Sequence, residues 1–284
     1  MIAVLGANGQ LGSAFVRELG DACLAVTRAD LDLIDVETIE PWVSSVRPDL
    51  VINCAAYTAV DAAETDAETA RTVNANAVGA LADSTARHSL KLVTFSTDYV
   101  FDGEKETGYV ESDEPNPLNV YGRTKLEGEQ VAMAAHSGVL VVRTSWLLSS
   151  THRNFLTTIL GKLAEGEVTV VDDQRGRPTL VNDLVQATVN AIEVGATGIL
   201  HLTNGGETTW FELAREIARV AGFVPELVKP IRSSELDRAA VRPSNSVLNS
   251  ERLEALGIME LPRYQRGLGL AITQSKLLQT EEGR

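Results

Sequence analysis

Tyr121 and Lys125, four residues apart, are the pair in this sequence best suited to move a proton. On a helix that spacing puts both side chains on one face, one turn apart. A free phenol titrates near pH 10 and is a poor proton donor or acceptor at neutral pH. A lysine cation held beside it favours the phenolate and lowers that value. Such a phenol can pass a proton to a carbonyl oxygen while a nicotinamide passes hydride to the carbon. Thr97, in Ser96-Thr97-Asp98-Tyr99-Val100-Phe101, offers a hydroxyl that can fix the same oxygen. Tyr-x-x-x-Lys alone is a common spacing, and its information lies in what accompanies it.

Near the start of the chain, Gly6-Ala7-Asn8-Gly9-Gln10-Leu11-Gly12 separates an apolar run from a helical one. Glycine permits the tight turn and the close approach of backbone to a pyrophosphate. The helix that follows presents free N–H groups and a positive dipole end to phosphates. In a dinucleotide site an acidic residue commonly closes the second strand and binds the ribose hydroxyls. Here that tip is Thr27-Arg28. A cation there suits a 2′-phosphate, which favours NADPH over NADH; a solvated surface charge is the alternative for Arg28. Asp32 and Leu33 follow and are placed in the adenine pocket. The next strand ends in Asn53-Cys54-Ala55-Ala56-Tyr57, where small residues leave room for a ligand. Ala55 and Ala56 are cofactor-contact candidates, with simple packing as the other reading.

These groups need a scaffold that gathers them, and the rhythm of the chain supplies one. Residues 2–5, 23–26, 50–52, 91–95 and 139–142 are short apolar runs that read as buried strands. Residues 11–19, 36–46, 67–88 and 121–135 carry helical patterns, the second stopped by Pro48. Strand and helix alternate with short turns, the signature of βαβ units on a parallel sheet. Continuously apolar strands are expected where helices cover both faces. After Thr144 loops lengthen, with helices expected over 182–193 and 210–221 and a strand over 199–202. The fold class expected is α/β: a Rossmann-like doubly wound parallel sheet with a smaller C-terminal substrate-binding lobe. Residues 1–145 with about 180–204 form the expected dinucleotide-binding domain, and 146–179 with 205–284 the substrate lobe.

Composition narrows the partners. The chain has 284 residues, 44% hydrophobic and 23% charged, with a formal net charge of −14. That charge argues against a nucleic-acid backbone, which needs a basic footprint. No apolar run approaches the roughly 18 residues of a membrane span. The first apolar run meets the glycine motif without a basic leader, so no signal peptide and a cytoplasmic location are expected. Cys23 and Cys54 lie in apolar runs and read as small core residues. No Cys/His cluster has metal-ligand spacing.

The glycine loop, the strand end at 96–101 and the Tyr121/Lys125 spacing together resemble the extended short-chain dehydrogenase/reductases. More narrowly, the chain resembles the dTDP-4-dehydrorhamnose reductase family. The matching stretches are GANGQLG (6–12), RPDLVINCAAYTAVDAAE (47–64), STDYVFDG (96–103), PLNVYGRTKLEGE (117–129), RTSWLL (143–148), DDQRGRPT (172–179), TTW (208–210) and RPSNSVLN (242–249). The resemblance implies NAD(P)H-dependent reduction of dTDP-4-dehydro-β-L-rhamnose at C4. It implies Tyr121 as proton donor, Lys125 as its modulator and ribose anchor, and Thr97 with Asp98 near the sugar. It places Trp146 against the substrate, and Gly9, Gln10, Leu11, Ala55, Ala56 and Tyr57 on the cofactor. Val60, Asn154 and Arg242 are further substrate candidates, Arg242 as a cation for the diphosphate.

Some members of the family dimerise through magnesium held by glutamates, one of them shortly after the glycine loop. Here Gly12-Ser13-Ala14 offers no carboxylate. No metal requirement is therefore expected, and a monomer or weak homodimer is. An epimerase or dehydratase of the same superfamily, recycling a held NAD, is an alternative. A non-catalytic regulatory relative is another, against which the intact Thr97, Tyr121 and Lys125 argue.

Overall fold

Short apolar runs that end in glycine or in small residues build a parallel sheet, and the helices between them cover its faces. The computed structural model describes residues 1–282, with side chains described through Ser275. The first half runs β1 (Ile2–Leu5), α1 (Gln10–Leu19), β2 (Cys23–Val26), α2 (Ile39–Val46), β3 (Leu50–Asn53) and α3 (Val60–Ala63). It continues with α4 (Ala67–Arg71), α5 (Ala77–Arg87), β4 (Lys91–Thr97), α6 (Val120–Ala135) and β5 (Leu140–Thr144). The second half begins β6 (Leu147–Leu148), α7 (Phe155–Glu165), β7 (Val168–Val171), β8 (Arg175–Gly176) and β9 (Thr179–Leu180). It ends α8 (Val181–Glu193), β10 (Gly198–His201), β11 (Thr208–Thr209), α9 (Trp210–Ala221), β12 (Val228–Ile231) and α10 (Gln265–Glu282).

The main sheet has six strands in the order β10-β5-β4-β3-β1-β2, every pairing parallel. The order reverses direction between β1 and β3. At such a switch point the loops leaving the two strands diverge and open a crevice at their carboxyl ends. Both loops meet there: a Cβ on Gly6 would lie 2.9 Å from the Ala55 nitrogen.

Three expectations change. The run at 23–26 is an edge strand rather than a buried one; Leu24 and Ala25 are exposed and Cys23 only partly covered, because a terminal strand has a neighbour on one side alone. The helix expected at 36–46 starts at Ile39, after a single 3₁₀ turn, with Pro41 in its first turn where no N–H is missed. The long helix at 67–88 is interrupted by a π-turn at Thr72–Asn76 between α4 and α5. Its cause is tertiary. The Asn74 carbonyl packs against α6 at Gly128, where a Cβ would come within 2.0 Å. The Asn74 side chain meanwhile bridges the Tyr57 backbone, accepting at 2.9 Å and donating at 3.1 Å, and donates to Thr124 Oγ1 at 3.1 Å.

Apolar side chains form two large cores in the main lobe, one on each side of the sheet. Phe15, Ile52, Val142 and Leu184 are fully buried in one; Leu5, Ile39, Leu81 and Val141 lie in the other. Complete burial of one such side chain stabilises by about 1.5–3 kcal/mol. A third core, with Leu156, Leu213, Ile217 and Leu268, belongs to the second lobe. Leu253, Ile258 and Leu261, within the stretch expected to serve the substrate lobe, pack instead with the first core beside α8.

Candidate active site

The glycine turn is built by close backbone contact. Gly6 has φ of +71°, a conformation other residues rarely adopt. Gly12 sits so near it that a Cβ would lie 2.1 Å from the Gly6 carbonyl oxygen. Gly12 is buried and closes the helix onto the loop rather than facing ligand. No side chain caps α1 at Gly9, so its first-turn N–H groups stay free to meet an anion.

A cleft of about 680 Å³ starts at this turn and runs along the carboxyl ends of the central strands. Gly6, Asn8, Gly9, Gln10, Leu11, Arg28, Ala55 and Ala56 line one end. Thr97, Asp98, Tyr121, Lys125 and Trp146 line the other. An adjoining pocket of about 250 Å³ is lined by Arg28, Asp32, Leu33 and Tyr57 with apolar neighbours, a shape for a flat apolar ring. Arg28 is largely exposed and pairs with Asp32 at 3.1 Å, one turn of chain away.

At the far end, three hydroxyl or carboxyl groups gather from different elements. Thr97 closes β4, donates to Asp98 Oδ1 at 2.9 Å and accepts from the Tyr99 N–H at 3.2 Å. Burial pushes Asp98 up to about 6, against weaker lowering by Ser246 and Thr97. Tyr121 enters from the first turn of α6, which Asn119 caps through the Gly122 N–H at 2.8 Å. Burial pushes its phenol up to about 12; the Thr97 hydroxyl pulls it down and the Asp98 charge adds to the rise. Lys125 is brought to about 8 by burial, and its Nζ donates to the Phe95 carbonyl at 2.6 Å. Thr97 is the hydroxyl that pulls the phenol down, and Lys125, one turn along the same helix, has its ammonium on the β4 carbonyl of Phe95.

Ser96 Oγ, Asp98 Oδ2 and Thr144 Oγ1 are buried at the cleft with no hydrogen-bond partner. Buried polar atoms are rarely left so, and three around one cleft suit a polar ligand that completes them. Together with the glycine cradle and free helix N–H groups, they fit a dinucleotide. Among the described residues no group of His, Cys, Asp or Glu gathers for a metal ion.

Trp146 is held in left-handed backbone, φ +47°, and stacks on Trp210 at 3.6 Å with the rings 7° apart. Non-glycine residues persist in that conformation only where their surroundings enforce it. Here the stack carries an aromatic wall to the cleft from the second lobe.

The remaining expected residues are not in the cleft. Asn154 caps α7: its Oδ1 accepts from Leu156 N at 2.9 Å, and its amide nitrogen is taken by Ser149, Thr151 and His152 carbonyls. Its polar atoms are spent on the loop, and His152 from that loop reaches the Asn8 carbonyl at 3.0 Å. Val60 opens α3 and lines no part of the cleft. Arg242 is engaged by Asp61 through two hydrogen bonds, 2.7 and 2.6 Å. Sequence reasoning passed over Ser96, Thr144 and Ser145, which line the cleft, and Tyr99, whose ring meets Tyr121 edge-on at 5.9 Å. Thr144 and Ser145 stood in the RTSW stretch, next to the residue that was chosen.

A glycine turn at the switch point of a parallel sheet, continuous with strand-end hydroxyls and a helical Tyr/Lys pair, defines a short-chain reductase of the extended type. Residues 1–277 match the family described as RmlD substrate binding domain. The chain belongs to that family, the dTDP-4-dehydrorhamnose reductases. It is 38% identical to the dTDP-4-dehydrorhamnose reductase of Burkholderia thailandensis, over 95% of this chain and 97% of that protein. It is 39% identical to the probable dTDP-4,6-dihydroxy-2-methyloxan-3-one 4-ketoreductase of Streptomyces antibioticus, over 93% of this chain and 92% of that one. The dTDP-4-dehydrorhamnose reductase of Bacillus anthracis, solved in complex with NADP, superposes with a TM-score of 0.92 at 34% identity, covering 96% of this chain and 98% of that chain.

Proposed function

We propose that this protein reduces the C4 ketone of dTDP-4-dehydro-β-L-rhamnose to give dTDP-β-L-rhamnose, with NADPH ahead of NADH as the reductant. The observation that carries the reading is the single cleft joining the glycine turn to Thr97, Tyr121 and Lys125. Support comes also from the family, and from the NADP held by the Bacillus anthracis relative.

When bound, the nicotinamide supplies hydride at the ketone carbon. The chain supplies the rest. Gly6, Gly9 and the α1 N–H groups would cradle the pyrophosphate, and Arg28 would offer a cation to a 2′-phosphate. Tyr121, at about 12, holds its proton at neutral pH and is a donor to the forming alkoxide. Thr97 lies beside it to fix the carbonyl oxygen. Lys125 places a cation behind the phenol, and Trp146 offers a flat face to the sugar or base. Asp98, near 6, exchanges charge in the working pH range and sits against Thr97.

The other keto-sugar named for the Streptomyces relative favours a second reading, reduction of a different dTDP-linked 4-keto sugar, because its identity is no lower. We further propose a cytoplasmic enzyme, monomeric or weakly dimeric, that needs no metal and binds neither nucleic acid nor membrane. The net charge of −14 disfavours a nucleic-acid partner, and no described helix is long and apolar enough to cross a membrane. The test couples an upstream dehydratase, with or without the 3,5-epimerase, to this protein while NADPH and NADH absorbance are followed in parallel. Oxidation that requires the epimerase supports the rhamnose reading; oxidation without it supports the second. No oxidation of either cofactor in either arm would sink both.

A further inference from the structure

A buried ion pair stands behind Lys125. Glu129 lies one turn beyond Lys125 on α6, so Tyr121, Lys125 and Glu129 follow one another along one helix face. Arg143 on β5 takes both Glu129 oxygens, Nε to Oε1 at 2.9 Å and Nη2 to Oε2 at 2.6 Å. The two side chains are 1% and 2% exposed. Arg143 stands opposite Ser96 in the β4–β5 register, so the pair lies directly beside the strand end that carries Thr97. Phe101 covers the guanidinium at 5.1 Å, and His201 Nε2 closes the set at 3.4 Å.

A buried pair is a poor device for stability alone. Desolvating two charges costs several kcal/mol per ion, and apolar residues of similar volume often serve folding as well or better. The neighbour gives it another use. Lys125 is itself 5% exposed, and its ammonium has a neutral carbonyl, Phe95, as its hydrogen-bond acceptor. A buried cation of this kind needs a compensating negative charge. Glu129 is the acid whose charge acts on Lys125. The other groups packed about this point do not replace it. Asp98 acts on the two phenols, Tyr99 and Tyr121. Glu111 is taken by the His201 backbone and Ser250. His201 is driven toward its neutral form by burial, with Arg143 adding to the effect.

We propose that Glu129, fixed in place by Arg143, is a positioning residue that keeps Lys125 protonated and aimed at the Phe95 carbonyl, so that Tyr121 works beside a cation. The proposal rests on Lys125 serving the proton transfer described above, but its test reads the lysine itself. The full-length protein is labelled with ¹³Cε-lysine, the Lys125 signal is assigned by its loss in Lys125→Met, and its titration is followed. In Glu129→Gln the Lys125 midpoint falls by about one pH unit or more, and the alkaline limb of kcat/KM falls with it. The double variant Glu129→Met/Arg143→Met, which removes both charges and retains the volume, keeps a thermal midpoint near that of the parent and shows a smaller downward lysine shift than Glu129→Gln, because the Arg143 cation that opposes the lysine charge is lost with the carboxylate. A role in packing alone predicts the opposite pattern: Glu129→Gln loses thermal stability while the Lys125 midpoint stays where it was. That result, in whichever variant folds, overturns the proposal. A lysine shift in a protein that oxidises neither cofactor supports the Glu129 coupling while overturning the reductase reading.

Discussion

The two ends of the cleft are made of different material. The cofactor end is made of backbone: Gly6 and Gly12 in van der Waals closure, an uncapped helix start, and Ala55 beside it. The substrate end is made of side chains from distant parts of the chain, with Thr97 on β4, Tyr121 on α6, and Trp146 backed by Trp210 of α9. Backbone cradles bind what many ligands share, a diphosphate. Side-chain walls select what differs between them, a sugar and its ketone. The first should therefore tolerate no added atom, and the second should tolerate exchange at the cost of rate or choice.

The sharpest break between the two ends is Tyr121→Phe. It should lower kcat by about 10²–10⁴-fold while NADPH affinity, read by fluorescence titration, stays unchanged; retained turnover would show that the proton comes from elsewhere. Next comes the buried carboxyl of Asp98, whose value is raised from 3.8 to about 6. Between those values the native state binds more protons than the unfolded one, so this group's contribution is full below about pH 4 and is lost as pH rises through 6. The loss is at most about 3 kcal/mol. Urea unfolding of the parent against Asp98→Asn from pH 4.5 to 6.5 isolates it, and parallel slopes would refute it. At the cofactor end, Gly12→Ala puts a Cβ 2.1 Å from the Gly6 oxygen. It should cost about 1–3 kcal/mol of stability and weaken NADPH and NADH together. A variant with parent melting temperature and parent affinities would mean the turn yields freely. The mildest effect is Arg28→Ala, which should raise the KM for NADPH by about tenfold, from loss of one charge-assisted contact, and leave that for NADH alone. Equal change for both cofactors would remove Arg28 from phosphate recognition.

The same contrast governs what could be read in advance. The cofactor end is local: a strand, a glycine turn and a helix within the first 20 residues announce one another by spacing. The six parallel strands were legible for the same reason, each a short apolar run stopped by small or polar residues. What escaped was set by partners far off in the chain. The π-turn at Thr72–Asn76 depends on Gly128 and Thr124, and nothing in its own alanine-rich run marks it. The partner of Arg242 is Asp61, 181 residues away in the chain. Asn154 comes with the family resemblance as a substrate candidate, and its place before a helix is also the description of the cap it forms on α7. The spacing puts Lys125 one turn from the phenol but does not show its acceptor, the Phe95 carbonyl on a strand 30 residues back.

The route of the chain through its two lobes has an evolutionary edge. After β5 it builds β6 to β9 of the second lobe, returns through α8 and β10 to the first, leaves for α9, and packs Leu253–Leu261 against the first again. No single cut in the sequence separates the two cores around the main sheet from the third. A gene fusion or recombination event cannot donate one lobe intact to another enzyme. Change in the cleft wall must then arise residue by residue, at positions such as Trp146, which lines it, and Trp210, which stacks on Trp146.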